Sequence, residues 1–251
     1  MLARILSAIL LAASATLRGD GQTALCLKLD EGQGLPLDSS PNKLAPVSFG
    51  AKWTAGRMAG GHALDFDGTQ KGANLIYPSG KALDICSAPF TMELWLCPRL
   101  EGKVKGYGKD GKGTWYTLVA RQSDWKKGFQ VIMIDDNLRF QVFKNMRVYD
   151  SWELALGLRE HLGKWTHLAF VFDPDNKAMA IYINGLQQAH LPVDGLGCDA
   201  DVPLLIGGFR QGWAFDGKLA ELVISGRAKS AAEIRVSSGL ARSEQDKLDS
   251  L

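Results

Sequence analysis

Neither sign of charge dominates this sequence. Its 29 Lys and Arg stand against 27 Asp and Glu, a formal charge of +2, and the basic residues are scattered. That argues against nucleic acid as the main partner, because phosphate binding requires a clustered basic excess. After residue 15 no apolar run is long enough to span a bilayer as a helix. Histidine is scarce, and His62, His161, His167 and His190 show no metal-ligand spacing on a helix. Cysteine is scarce too, and the spacing of Cys26, Cys86, Cys97 and Cys198 resembles no zinc site. No Gly-x-Ser-x-Gly elbow of a serine hydrolase occurs. Gly106 to Lys112 imitates a phosphate-binding loop, but Gly113 stands where the metal-binding Ser or Thr belongs. Glycoside hydrolysis needs a pair of carboxylates, one as acid and one as nucleophile or base, and no predicted strand carries two glutamates. Glu93 shares a face with Thr91 and Trp95, so an enzyme reading requires its partner to come from another strand.

What is present begins with an apolar leader. Met1 to Ala15 combines Arg4, the apolar Ile5 to Leu11 and the small residues Ala13-Ser14-Ala15, and reads as a secretory signal peptide. Residues 16–23 read as a flexible N-terminus. Export would place the chain in a secreted, periplasmic or cell-surface setting, where disulfides persist. Four cysteines allow three pairings. If Phe90 to Leu96 is one straight strand, Cys86 and Cys97 lie beyond its opposite ends, too far apart to bond at about 3.3 Å per residue. Two pairings remain, with free buried thiols as the alternative.

From residue 24 onward, short alternating segments predict strands. The strongest signal is His161 to Leu186, where Leu168, Phe170 and Phe172 share one face and His167, Ala169 and Val171 the other. Asp173-Pro174-Asp175-Asn176 is a turn, and Asn184-Gly185 supplies the two residues of a type I′ hairpin. Other strands are expected at Ala24 to Leu29, Val47 to Trp53, Ala63 to Gly68, Asn74 to Tyr77 and Phe90 to Leu96, the last stopping at Pro98. Trp115 to Arg121, Gly128 to Ile134, Leu138 to Phe143, Pro203 to Ile206 and Lys218 to Ile224 follow. Helix is expected only near the end, where Ser230-Ala231-Ala232-Glu233 is a capping box. No linker or internal repeat is visible. The expectation is one all-β domain, a two-sheet antiparallel jelly-roll sandwich with a short C-terminal helix, over residues 24–236, with a tail at 237–251.

Several separated motifs, in order, resemble the laminin G-like jelly rolls of the concanavalin A-like lectin/glucanase superfamily. They are Leu29-Asp30-Glu31 with Asp38-Ser39-Ser40, Gly61 to Gly68, Phe90-Thr91 to Trp95, Gly163 to His167, Ile181 to Gly185, Leu205 to Gly208 and Phe215 to Leu222. The resemblance implies two curved sheets with the first and last strands adjacent, and Trp95 and Trp165 in the core. It also implies Ca2+ bound by oxygens at Asp30, the Asp67-Gly68 turn and the residue before Glu221, where this sequence has Ala220 in place of the acid often found. For function, aromatic residues in or beside loops can stack on sugar rings or anchor a protein. The candidate ligand surface is loops 101–127 and 207–216, with Arg121, Trp125, Arg210 and Trp213. The expected role is a secreted non-catalytic binding module whose partner is a carbohydrate or an extracellular protein. The alternatives are a polysaccharide-active glycoside hydrolase of the same fold and a structural domain of an envelope or adhesion assembly.

Overall fold

The structure is a computed structural model that describes residues 23–69, 75–85, 88–100, 114–123, 125–143, 151–193, 201–209 and 213–240. The leader, the loop 101–113, Cys86, Cys198, Arg210 and residues 241–251 lie outside the described residues. In chain order the strands are β1 (Thr23–Leu27), β2 (Ser48–Phe49), β3 (Lys52–Ala55), β4 (His62–Asp67), β5 (Leu75–Tyr77), β6 (Phe90–Pro98), β7 (Trp115–Ser123) and β8 (Lys127–Ile134). They continue as β9 (Asn137–Phe143), β10 (Ser151–Gly157), β11 (Thr166–Asp173), β12 (Ala178–Ile183), β13 (Leu186–Pro192), β14 (Leu204–Ile206) and β15 (Asp216–Ser225), followed by helix α1 (Ala231–Ser237).

Alternation sorts the side chains between two environments. In β11, Leu168, Phe170 and Phe172 enter the main core, while Ala169 and Val171 face outward and pack with Ala180, Tyr182 and Ile234 under α1. Asn184 and Gly185 have φ of 49° and 82°, the positive angles that a type I′ turn requires. The Asn184 Oδ1 accepts a 2.9 Å bond from the His167 N–H, tying the β12–β13 turn to β11. Helix α1 begins at the expected box: Ser230 Oγ accepts from the Glu233 N–H, and Glu233 Oε2 accepts from the Ser230 N–H. Arg227, together with Ser230, holds the Glu233 carboxyl down at about 2. Ser230→Ala is expected to cost about 1 kcal/mol of stability, read as a lower urea midpoint with an unchanged slope.

Eight strands form one antiparallel sheet in the order β13-β12-β11-β6-β15-β4-β3, with β1 also on β15. Seven form the other, in the order β10-β9-β8-β7-β14-β5-β2. Their facing sides share one apolar core, from Leu25 and Phe66 through Phe90, Phe129 and Phe140 to Leu222, so the architecture is the expected jelly-roll sandwich. β15 pairs with β6 along one edge, and with β4 and then β1 along the other, which makes the first and last strands neighbours. Strand β6 runs two residues past Leu96 and includes Pro98, which is tolerated because it closes the strand. Arg99 follows directly and gathers three segments. Its Nε donates to Asp216 Oδ1 at 2.9 Å, Nη1 to Asp65 Oδ1 at 2.7 Å and Nη2 to the Phe66 carbonyl at 2.6 Å.

Two expectations need correcting. Trp95 and Trp165 are half-buried rather than core residues: Trp95 lies between the core residues Leu94 and Leu96 of β6, off the inward phase, and Trp165 comes just before β11 begins at Thr166. Cys26 and Cys97 are free thiols. They sit opposite Val223 and Lys218 of β15, five residues apart along that strand, so no bond can join them. Burial pushes both thiols upward in pKa.

Candidate functional site

The outer face of the seven-stranded sheet carries the most organised polar chemistry. Phe129, Val131 and Met133 of β8 point into the core, so Gln130 and Ile132 point away from it. Register places Gln130 beside Gln141 of β9, and Gln141 beside Glu153 of β10. The side chains form a one-way hydrogen-bond chain. The Trp125 N–H donates to Gln122 Oε1 at 2.7 Å, Gln122 Nε2 to Gln130 Oε1 at 3.4 Å, and Gln130 Nε2 to Gln141 Oε1 at 2.5 Å. Gln141 Nε2 then donates to Glu153 Oε2, while Arg139 Nη1 donates to Glu153 Oε1 at 2.9 Å.

An aromatic group stands at the Trp125 end. The Trp213 ring centroid is 4.7 Å from Trp115, 6.0 Å from Trp125 and 6.0 Å from Phe209, and Trp125 is 5.9 Å from Phe209. Trp115 opens β7. Trp125 occupies the β7–β8 turn with φ of 56°, a strained angle for a bulky residue. Phe209 and Trp213 come from the segment after β14, which is held to β7 by the Thr117 N–H donating to the Trp213 carbonyl at 3.0 Å and the Gly207 N–H to the Leu118 carbonyl at 2.9 Å. Trp213 is 8% exposed, whereas Trp115, Trp125 and Phe209 are half-buried. The rings therefore combine a fixed centre with accessible faces.

The structure thus brings Trp125 and Trp213 together as part of one group. Arg121 does not join them, because it is fully buried. Strict alternation would put Trp115, Thr117 and Arg121 on one face. A bulge between Thr117 and Val119 changes the phase, so that Val119 lies opposite Val131, and Arg121 opposite the core residue Phe129. Phe209 and the Gln–Glu chain were not singled out from the sequence. The outward Gln residues of successive strands were a readable signal, but only the register shows that they touch.

The calcium set does not assemble. His62 Nδ1 lies 3.0 Å from the Asp30 carbonyl oxygen, at one end of β4. Asp67 and Gly68 lie at the other end, about 16 Å away along the strand, where Asp67 Oδ1 caps Thr69 and the Gly68 N–H bonds the Phe215 carbonyl. Beside Asp30 a cleft of about 500 Å³ is lined by Arg57, Met58, His62, Ala220 and Glu221. A bulge in β15 presents Glu221 at φ of 51°, and the Arg57 guanidinium pairs with it at 2.9 Å while lying 4.2 Å over the Trp95 ring. Among the described residues no group of three His, Cys, Asp or Glu side chains is placed to hold a metal. The residues present do not fit a calcium ion, since a guanidinium already faces the carboxylate.

Glu93, the sequence's candidate acid, faces outward from the eight-stranded sheet and is buried against Lys229, which donates to its Oε2. His167 Nε2 stands 3.7 Å from Glu93 Oε1. Burial lowers the His167 pKa to about 4, overriding Glu93, with Lys229 adding to the fall and Glu221 and Arg57 acting in opposite directions. The unfolded chain, with an ordinary imidazole near 6.5, binds that proton first. Stability is therefore fully present above about pH 6.5 and falls as pH drops toward 4, by at most about 3 kcal/mol from this group. Urea unfolding at a series of pH values should show this loss, and His167→Gln should flatten it.

The Laminin_G_3 family model, described as the concanavalin A-like lectin/glucanases superfamily, matches residues 67–235. No curated protein sequence matches the chain. Among solved structures, the binding domain of Paraclostridial Mosquitocidal Protein 1 superposes with a TM-score of 0.66 at 16% identity, covering 86% of this chain and 52% of that one. The botulinum neurotoxin serotype G binding domain gives 0.65 at 14% identity, covering 87% and 51%. The botulinum neurotoxin DC binding domain, in complex with rat synaptotagmin II, gives 0.66 at 12% identity, covering 87% and 51%. The chain spans about half the length of these structures, and the likeness is one of fold. With the family model covering residues 67–235 of 251, and the sandwich and its adjacent first and last strands in place, the chain belongs to the concanavalin A-like lectin/glucanases superfamily.

Proposed function

We propose that the chain is a non-catalytic carbohydrate-binding module acting outside the cell, with its ligand seated on Trp115, Trp125, Phe209 and Trp213. The observation that carries this reading is the half-buried aromatic group fixed around Trp213. Aromatic faces offer sugar rings a flat apolar surface, and the neighbouring amides supply donors and acceptors for hydroxyls. Structural neighbours lend support at the level of the fold: one is a botulinum neurotoxin DC binding domain in complex with SialylT, and another concerns botulinum neurotoxin type C and two ganglioside molecules. The complex with synaptotagmin II supports a protein ligand as the second reading. Among the described residues, the strands of the seven-stranded sheet carry a single carboxylate, Glu153, already bonded to Arg139 and Gln141. That leaves two-carboxylate glycoside hydrolysis without its pair on those strands. The leader supports export, which N-terminal sequencing of the mature protein tests.

Trp125→Ala is expected to weaken glycan binding at least about tenfold, or ~1.4 kcal/mol, at little cost to folding because the residue lies in a turn. The measurement is titration calorimetry against the best ligand from a glycan array. Unchanged affinity in both Trp125→Ala and Trp213→Ala would remove the site from this surface.

A further inference from the structure

The cleft beside Asp30 lies on the eight-stranded sheet, apart from the aromatic group, and strand register explains why it exists. One edge of β15 is flanked by β4 as far as Leu219, opposite Leu64, and by β1 from Leu222, opposite Leu27. Ala220 and Glu221 have a register partner in neither strand, and the cleft of about 500 Å³ opens at this notch. That volume is within the range of ligand sites. At its wall Arg57 donates through Nε to Glu221 Oε1 at 2.9 Å, and its Nη1 lies 3.6 Å from the Met58 sulfur. Arg57 Nη2 and Glu221 Oε2 have no hydrogen-bond partner among the described residues. Both side chains are open to solvent, by 28% and 44%. Glu221 is held there at a φ of 51°, an angle uncommon for a non-glycine residue and concentrated at functional sites.

We propose that this cleft binds a peptide in extended conformation, with Arg57 and Glu221 taking the carbonyl and the N–H of one of its residues. An extended residue turns its own N–H and C=O to the same side. A guanidinium joined to a carboxylate presents a donor beside an acceptor, which is the complement. The pair is neutral as a whole, so the match is to uncharged main chain rather than to an acidic or a basic group. A sugar would call for a ring face, and no Trp, Tyr or Phe among the described residues lines the cleft. Trp95, behind Arg57, is already covered, with the guanidinium 4.2 Å over its ring and the His167 ring at 5.3 Å. Met58, 63% exposed, supplies instead an unbranched apolar side chain that adapts to varied neighbours. This site and the carbohydrate reading stand or fall separately.

The test uses the full chain and a library of tetrapeptides with acetylated N-termini and amidated C-termini. Binding is located by Cys26, a half-buried free thiol that lines the cleft. Saturating peptide is expected to slow its alkylation by iodoacetamide at alkaline pH, while Cys97, a free thiol opposite Lys218 toward the other end of β15, reacts as before. Affinity should fall about tenfold in Arg57→Met, which keeps an unbranched stem and deletes the donors, and in Glu221→Gln, which turns an acceptor into a donor. Methylating the peptide's backbone nitrogens in turn should cause the same loss at one position. Tm should barely move in either variant, because the pair is partly exposed. A merely structural pair would instead lower Tm and leave affinity alone. If Cys26 stays unprotected, if either variant binds as the parent does, or if no tetrapeptide binds at millimolar concentration, the assignment is overturned. If a saccharide from the glycan array protects Cys26 in place of a peptide, the cleft is a glycan subsite and the peptide assignment is overturned as well.

Discussion

Arg99→Ala is expected to lower the unfolding free energy by about 3–5 kcal/mol, the range for removing one partner of a buried ion pair. The reason is the placement of Asp216, whose side chain has no exposed surface and whose carboxylate receives the Arg99 Nε. Alanine would leave that charge in the interior without its guanidinium, and would also unfasten Asp65 and the Phe66 carbonyl, which the same side chain holds. Three fixed donors at different angles suit guanidinium geometry and not ammonium, so Arg99→Lys should recover little of the loss. Urea unfolding followed by tryptophan fluorescence measures it. A change below about 1 kcal/mol, the level of an exposed pair, would show that the clamp contributes no more than a surface bridge.

Gly128→Ala should be at least as damaging, at about 4 kcal/mol or more, among the largest effects a single substitution produces. A methyl group there would stand 2.0 Å from the Arg121 carbonyl oxygen and 2.9 Å from the Gln122 Cα, at a φ of 92°. These are backbone atoms of the paired strand, so neither can step aside without breaking the β7–β8 ladder. Gly34 provides the control: its φ is 71° and nothing lies within 4 Å of its added methyl. Gly34→Ala should therefore show the backbone-angle cost alone, about 1 kcal/mol. Comparable losses in the two variants would mean that the hairpin relaxes around the clash. Because Gly128 lies opposite Gln122, which receives the Trp125 N–H, any surviving Gly128→Ala protein should also lose order among the site tryptophans, visible in near-ultraviolet circular dichroism.

Local chemistry makes much of the sandwich legible in the sequence. The faces of β11, the Asn184-Gly185 turn and the Ser230 box each depend on a few neighbouring residues, and each is where alternation, turn chemistry and capping place it. The adjacency of β1 and β15 came from family resemblance, not from any local signal. What stayed hidden depends on register. The bulge after Thr117 has no mark in the letters around it, yet it moves Arg121 from the outward stripe of β7 to the interior. Asp30 and Asp67 are both plausible cation ligands by type, but β4 holds them at opposite ends, and Arg57 reaches Glu221 from a hairpin 164 residues earlier. The site shows the same division. Trp125 and Trp213 could be named for being aromatic and in loops, whereas Phe209 and the chain from Gln122 to Glu153 became visible only once strands distant in sequence were side by side.

The position of β1 has a consequence for the order of assembly. Among the described strands β1 pairs with β15 alone, through Leu25 to Ile224, Cys26 to Val223 and Leu27 to Leu222. The first described strand of the sandwich therefore waits for the last one before it finds its neighbour. Closing so long a loop is slow, because its entropy is lost before the contact repays it. A growing chain cannot complete this sandwich before β15 has been made.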